Sequence, residues 1–162
     1  MKKLTHLDRQ GRARMVDVSK KPLTQREAVA QCSVVMKRET LQLILDNQIP
    51  KGDVIAVARV AGIMAAKKTN ELIPMCHPLN ISSVAIEFKT DTGKNRIDIQ
   101  STVKVSGQTG VEMEALTSAA IAALTVYDMC KSVDKEMVIT EIMLIRKKGG
   151  KSGVFRRGTV NR

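Results

Sequence analysis

Ser83-Val84-Ala85-Ile86-Glu87-Phe88 and, beyond Asp91-Thr92-Gly93-Lys94-Asn95, the run from Arg96 to Val105 read as two strands joined by a hairpin turn. What lies on either side decides what this hairpin belongs to. Upstream, Pro74 and Pro78 bracket an extended loop, because each proline pushes the residue before it out of the helical region. Before that loop, Val54, Ile55, Ala58, Ala61, Gly62 and Ala65 share one face of a helix. Leu41, Ile44 and Leu45 fit a shorter helix that ends around Asn47, ahead of Pro50. Earlier still, Ala28, Ala30, Cys32, Val34 and Met36 alternate with Val29, Gln31, Ser33 and Val35, which is the period of a strand. Downstream, Gly110 to about Val133 reads as a strong helix and Met137 to Arg146 as a closing strand.

The order strand, helices, strand, strand, helix, strand predicts an α+β fold with the ferredoxin-like split βαβ arrangement. A four-stranded antiparallel sheet would then carry its helices on one face. The other face is expected to hold enough Ala, Val and Ile for another subunit to cover it. At 162 residues and 17.8 kDa the chain is sized for a single domain, residues 1–162. Folding should bury roughly 70% of the surface that the unfolded chain exposes, so no disulfide or metal staple is needed. Hydrophobic residues at 43% and charged residues at 27% exclude wholesale disorder. The longest charge-free run, Ala115 to Tyr127, falls short of the about 20 apolar residues of a spanning helix, so no membrane partner is expected. Met1-Lys2-Lys3-Leu4-Thr5-His6 leads into no apolar signal region, and Cys32, Cys76 and Cys130 have no close pairing. These features predict a soluble cytoplasmic domain.

The formal charge of +11 is carried by the ends. Residues 1–26, a basic N-terminal arm, hold eight basic and two acidic side chains; residues 142–162 hold seven basic and none acidic. Between them, twelve basic face fourteen acidic residues. Such a distribution draws something anionic, be it nucleic acid, a membrane surface or a phosphorylated small molecule, or else serves solubility alone. Phe88, Tyr127 and Phe155 are the whole aromatic set, too few for the stacking platforms of common single-strand and RNA readers. The segment 147–162 reads as a flexible basic tail, with Lys147-Lys148-Gly149-Gly150-Lys151-Ser152-Gly153 as a mobile loop.

The helix from Gly110 carries the most chemistry. Thr109 followed three residues later by Glu112 fits a capping box, which gives Glu112 a structural role. Glu112 and Glu114 at the start of the helix, with Asp128 and Lys131 at its end, stand out against the uncharged stretch between them. Asp128 and Lys131 lie at i, i+3 and can touch. They form an ordinary surface ion pair, or Asp128 shuttles protons while Lys131 holds its charge state and binds an anion. Glu114 and Asp128 are about 21 Å apart along a helix rising roughly 1.5 Å per residue. One copy of that helix cannot bring both to a small molecule, so either one end is functional or two subunits join opposite ends.

His77 sits in the proline-framed loop Ile73-Pro74-Met75-Cys76-His77-Pro78-Leu79, as a catalyst or as a hydrogen-bonded structural residue. Cys76 beside it has no second Cys or His at ligand spacing, so no zinc site is expected. Lys51 precedes a helix that opens near Asp53, where a cation is unfavourable unless it shares the helix end with an anion such as phosphate. Gly149-Gly150-Lys151-Ser152 looks like the end of a phosphate-binding P-loop, but Ile145 stands where the pattern needs glycine and Gly153 follows in place of a helix. The P-loop reading fails. A glycine-lysine loop closing over a phosphate remains.

Met75-Cys76-His77-Pro78-Leu79, the run Thr109-Gly110-Val111-Glu112-Met113-Glu114-Ala115-Leu116-Thr117, Leu124-Thr125-Val126-Tyr127-Asp128-Met129-Cys130-Lys131 and Gly149-Gly150-Lys151-Ser152-Gly153 occur here in one order. With these motifs the chain resembles the molybdenum cofactor biosynthesis protein C (MoaC) family, the cyclic pyranopterin monophosphate synthases. The resemblance runs from Met15-Val16-Asp17-Val18 to the basic tail. It implies a ferredoxin-like fold and a homohexamer built as a trimer of dimers, with the active site between two subunits. It implies a lyase that converts a cyclised dihydroguanosine triphosphate, made from GTP, into cyclic pyranopterin monophosphate with release of pyrophosphate. No organic cofactor, metal or nucleic acid is called for. By the same resemblance Asp128 is the principal proton donor or acceptor and Lys131 its essential partner. Met75, Cys76, His77, Met113 and Glu114 would line the substrate site, Glu112 would help in proton transfer, and Lys51 and Lys147 would hold phosphates or the base. The loop 147–153 is expected to order when substrate binds. The rival expectation is a basic, non-catalytic module that binds phosphate backbones or scaffolds a partner.

Overall fold

The computed structural model describes residues 10–12 and 15–158. Its elements are β1 (Thr24–Val35), α1 (Arg38–Leu45), α2 (Val54–Lys67), α3 (Thr69–Leu72), β2 (Ile81–Asp91), β3 (Arg96–Gly107), α4 (Glu112–Cys130), β4 (Val138–Lys148) and β5 (Phe155–Arg156). One antiparallel sheet holds them in the order β2-β3-β1-β4-β5. The first four strands follow the split βαβ order predicted from the sequence. The four-strand expectation is one short: Phe155 pairs with Lys147 and Arg156 with Arg146, which adds a two-residue edge strand. Nothing in a two-residue segment amid glycines and arginines signals that pairing. Residues 1–9, 13 and 14 of the basic arm and 159–162 of the tail lie outside the described residues.

β1 is central because its alternate side chains are small and apolar. Ala28, Ala30, Cys32 and Val34 are all buried on the helix side, beside Ile97, Ile99, Val103 and Val105 of β3. α4 lies against them with Ala115, Ala119, Ala122, Ala123 and Val126, each fully buried. Small residues on both partners let helix and sheet approach closely enough for the Cys32 thiol to donate to the Ala119 carbonyl at 3.2 Å. α2 closes on α4 through Gly62, where an added Cβ would lie 2.9 Å from the Ser118 carbonyl and would also collide with Ile86 Cδ1. Asp53 caps α2 by accepting from the Ala56 N–H at 2.9 Å.

The second face of the sheet is only in part the expected Ala, Val and Ile surface: Val29 and Val35 of β1, with Val138 of β4 paired to Val35, lie on it among polar residues. In register across β1, β3 and β2 it presents Gln31, Gln100 and Glu87, then Ser33, Asp98 and Lys89. The Ser33 hydroxyl donates to Asp98 at 2.6 Å, and Arg96 bridges Asp98 and Glu141. Glu27, buried at its end of the face, accepts from Arg146 at 2.6 Å with Lys104 and Lys148 nearby. The apolar outward positions belong mainly to β1 and β4, and most of those on β2 and β3 are polar. Exposed large apolar side chains sit on both layers, at Val57, Val60 and Met64 of α2, Leu124 of α4, and Val138 and Ile142 of β4.

α4 also starts later than the sequence motif requires. Its N-cap is Val111, with no side-chain cap, so Glu112 is the first helical residue. The expected capping box between Thr109 and Glu112 is therefore absent. The Glu112 carboxylate folds back over Gly110, where a Cβ would collide with it.

Candidate active site

The loop after α3, the start of α4 and residues 16–21 enclose a cleft of about 250 Å³. Met75, Cys76, His77, Glu112, Met113 and Glu114, all singled out from the sequence, line it together. With Leu79, Thr109 and Gly110 from the same two segments, Val16 and Lys21 complete the lining. Neither was legible as a site residue, since a lone valine and one lysine among many carry no spacing signal.

The cleft tunes its carboxyl and thiol groups by burial. Glu114 is only 4% exposed, and that burial pushes its carboxyl above the ordinary glutamate value. A hydrogen bond with its own backbone opposes the shift, and the charge of Glu112 adds to it. Burial likewise raises the Cys76 thiol, helped by the charge of Glu114. Cys76 is therefore a neutral lining group at neutral pH, poorly suited to nucleophilic attack. The half-buried His77 places Nε2 at 2.7 Å from the Val16 carbonyl.

The other end of α4 carries a second cluster. Asp128 Oδ1 lies 2.7 Å from Lys131 Nζ, the i, i+3 contact expected from the sequence. Its Oδ2 lies 2.8 Å from Lys51 Nζ, which also donates to the Asp128 backbone carbonyl at 2.9 Å. Lys51 thus satisfies a carbonyl in the last helical turn, where a cation is favoured. Lys51 does precede α2 as expected, but its ammonium turns to the end of α4, while the Asp53 carboxylate serves the Ala56 N–H at the start of α2. Gly52, with φ of +95°, makes the turn between the two. Hydrogen bonds from Lys131 and then Lys51 lower the Asp128 carboxyl to about 2, while Asp128 in turn raises Lys131.

Asp134, which the sequence reading passed over, anchors the loop beyond Lys131. Buried at 2% exposure, it accepts from Lys37 N–H at 2.9 Å, Thr40 Oγ1 at 3.2 Å and Glu136 N–H at 3.0 Å. Burial works against its charge, but these donors outweigh it and hold the carboxyl below its ordinary value. A carboxylate four residues past a helix end has no sequence signature that separates it from a surface charge.

Lys147 stands apart from both clusters as a member of β4, and its ammonium meets the Ser152 hydroxyl. Gly149 and Gly150 follow, both with positive φ; an added Cβ would collide with the Gln25 carbonyl at the first and with the Arg26 guanidinium at the second. No helix follows Lys151, consistent with the failed P-loop pattern. Among the described residues no group of three His, Cys, Asp or Glu is placed to hold a metal ion.

A single chain therefore holds two separate clusters: a cleft lined by the buried Glu114 carboxyl and the half-buried His77 ring, and a carboxylate clasped by two ammonium groups. Fourteen residues of α4 separate Glu114 from Asp128, about 21 Å by helical rise.

Comparison with known proteins joins these features to one family. The sequence model of the MoaC family matches residues 15–150. The cyclic pyranopterin monophosphate synthase of Chloroflexus aurantiacus is 62% identical over 154 residues, covering 95% of this chain and 94% of that protein. Proteins of the same name from Thermoanaerobacter pseudethanolicus and Pelotomaculum thermopropionicum are 60% and 59% identical, covering 95% and 97% of this chain and 98% and 92% of theirs.

Proposed function

The chain belongs to the MoaC family, and from that membership we propose how its two half-sites work as a cyclic pyranopterin monophosphate synthase, a lyase of molybdenum cofactor biosynthesis. The substrate is the cyclised dihydro-GTP intermediate. The products are cyclic pyranopterin monophosphate and pyrophosphate. The observation that carries this reading is the pairing, within a chain of this family, of a cleft around the buried Glu114 carboxyl with a doubly clasped carboxylate.

The two half-sites complete one another across a subunit interface. The length of α4 supports this, since neither half can reach the other within one chain. The exposed apolar side chains on α2 and α4 supply surface for association, in a homohexamer built as a trimer of dimers. Met75, Cys76, Met113 and Glu114 hold the purine-derived part of the substrate. Lys51 and Lys147 take phosphate oxygens as charge-assisted donors. The basic ends of the chain draw the triphosphate in.

Proton movement follows from the two environments. Burial raises the Glu114 carboxyl, so it binds a proton more readily than an exposed glutamate and is suited to accepting one, with Glu112 beside it as relay. Asp128 is ionised in the free protein and, clasped by two ammonium groups, is a weak base. When a phosphate draws Lys51 away, Asp128 keeps only Lys131 and its basicity rises. It then takes a proton from the substrate, and Lys131 stabilises the charge that remains. Lys51 and Lys131 also face the oxygens on which negative charge grows as the sugar hydroxyl attacks the α-phosphorus.

The test is turnover of the cyclised dihydro-GTP intermediate with product and pyrophosphate followed together, beside Asp128→Asn and Lys131→Ala. Wild-type conversion that falls by about 10²-fold or more in both folded variants is expected, the usual scale for loss of general acid–base chemistry. No conversion by folded wild-type protein contradicts the reading. Tight, salt-sensitive binding of duplex DNA, unchanged in Asp128→Ala, would then favour the basic binding module.

A further inference from the structure

The N-terminal arm enters the cleft by way of one side chain that no motif includes. Gln108, just past the end of β3, donates from Nε2 to the Ser19 carbonyl at 3.1 Å and to the Lys21 carbonyl at 3.0 Å. Both partners are pure acceptors, so the amide must present its nitrogen and its orientation is fixed. Gln108 is itself held: Arg26 donates from Nε to the Gly107 carbonyl and from Nη2 to the Gln108 carbonyl, each at 3.0 Å. The arm turns tightly between its anchors, with Ser19 N–H on Asp17 Oδ1 at 2.9 Å and Lys21 N–H on the Val18 carbonyl at 2.9 Å.

Two things reach the cleft through that clamp. Lys21 lines it, where an ammonium suits a phosphate oxygen. The Val16 carbonyl lies 2.7 Å from His77 Nε2. A carbonyl only accepts, so Nε2 must carry the hydrogen, and in the neutral ring the lone pair is then on Nδ1.

We propose that Gln108 is a positioning residue of the active site: by clamping residues 19–21 it sets the Val16 carbonyl that fixes the His77 tautomer and presents Lys21 to a phosphate of the substrate. The arm is thus a wall of the site, although it precedes β1. This inference rests on the synthase reading for the identity of the phosphate and stands apart from it for the state of the ring.

The experiment reads the two separately. Long-range ¹H–¹⁵N spectra of the histidine ring, recorded without substrate on the full chain in a His6→Gln background, report the tautomer of His77 alone. Wild type is expected to show the Nε2–H pattern. Gln108→Ala and Gln108→Glu, the second of equal shape but without donors, are expected to move the ring toward averaging of the two tautomers. Both variants should also raise KM for the cyclised dihydro-GTP intermediate by about tenfold, the scale of one charge-assisted hydrogen bond. Lys21→Met, which leaves the clamp intact, should raise KM by about tenfold while the ring keeps its wild-type pattern. A ring pattern unchanged in both Gln108 variants overturns the proposal, whatever the kinetics, and so does a KM in Lys21→Met within twofold of wild type. Absence of turnover in wild type would count against the synthase reading and would leave the ring result standing.

Discussion

Lys51 Nζ lies 2.8 Å from Asp128 Oδ2 and 2.9 Å from the Asp128 backbone carbonyl, although 77 residues separate the two. The contact joins the turn between α1 and α2 to the far end of α4. It changes what Asp128 is: no longer half of an i, i+3 surface pair, but a carboxylate held between two ammonium groups and lowered to about 2.

Removing one ammonium must therefore move the carboxyl. In carbonyl-detected NMR titrations, Lys51→Ala should raise the Asp128 pKa from about 2, with Lys131 still holding it on the low side. The linkage has a definite sign. A carboxyl whose folded pKa is depressed contributes stability above its unfolded value, near 3.9, and loses it as pH falls through the folded value. Asp128→Asn should thus be less stable than wild type at neutral pH, and the gap should close between about pH 4 and pH 2. An equal gap at both ends of that window would show that the ion pairs contribute nothing.

Glu114 predicts the opposite sign. Burial raises its folded pKa, so the fold favours the protonated form, and ionisation at neutral pH is a cost. Glu114→Gln should therefore raise Tm at pH 7 while lowering turnover, and its advantage should shrink as pH falls through the folded pKa of Glu114. A Tm at pH 7 equal to or below that of wild type would contradict the assignment. Stability gained with activity lost is the pattern expected where a site holds a group against the preference of the fold.

Gly62 reports on the helical layer. The Ser118 backbone carbonyl, 2.9 Å from where a Cβ would sit, cannot yield as a side-chain tip could. Gly62→Ala should destabilise by about 1–3 kcal/mol through overpacking, despite the better helix propensity of alanine. In a chain of this size that is a Tm loss of about 2–4 °C per kcal/mol. An unchanged Tm would mean that α2 and α4 have room to separate.

Much of the fold was legible because its elements announce themselves by period. The alternation over Ala28 to Met36 and the Asp91–Asn95 turn placed β1 and the β2–β3 hairpin close to their observed bounds. What escaped depended on partners far off in the chain. β5 exists only because β4 offers Arg146 and Lys147 to pair with. The capping box failed because α4 opens at Glu112, a boundary set by its docking against the sheet and not by local capping. The polar part of the second face escaped because outward positions on β2 and β3 count for as much as those on β1. In the site, Met75 to His77 and Met113–Glu114 were recoverable as motifs, and the structure gathers them into one cleft. Gln108, Lys21 and Asp134 were not, because their importance lies in hydrogen bonds to backbone groups or in a place on a wall that no spacing encodes.

The central claim is that one active site needs the cleft of one subunit and the Asp128 end of another. Co-expression of Glu114→Gln with Asp128→Asn, each inactive alone, followed by assay of the mixed oligomers, tests it directly. A dimer containing one of each variant holds one site with both defects and one site with neither. Random pairing should therefore restore about a quarter of wild-type turnover of the cyclised dihydro-GTP intermediate. Mixed oligomers no more active than the two parents would contradict the shared site.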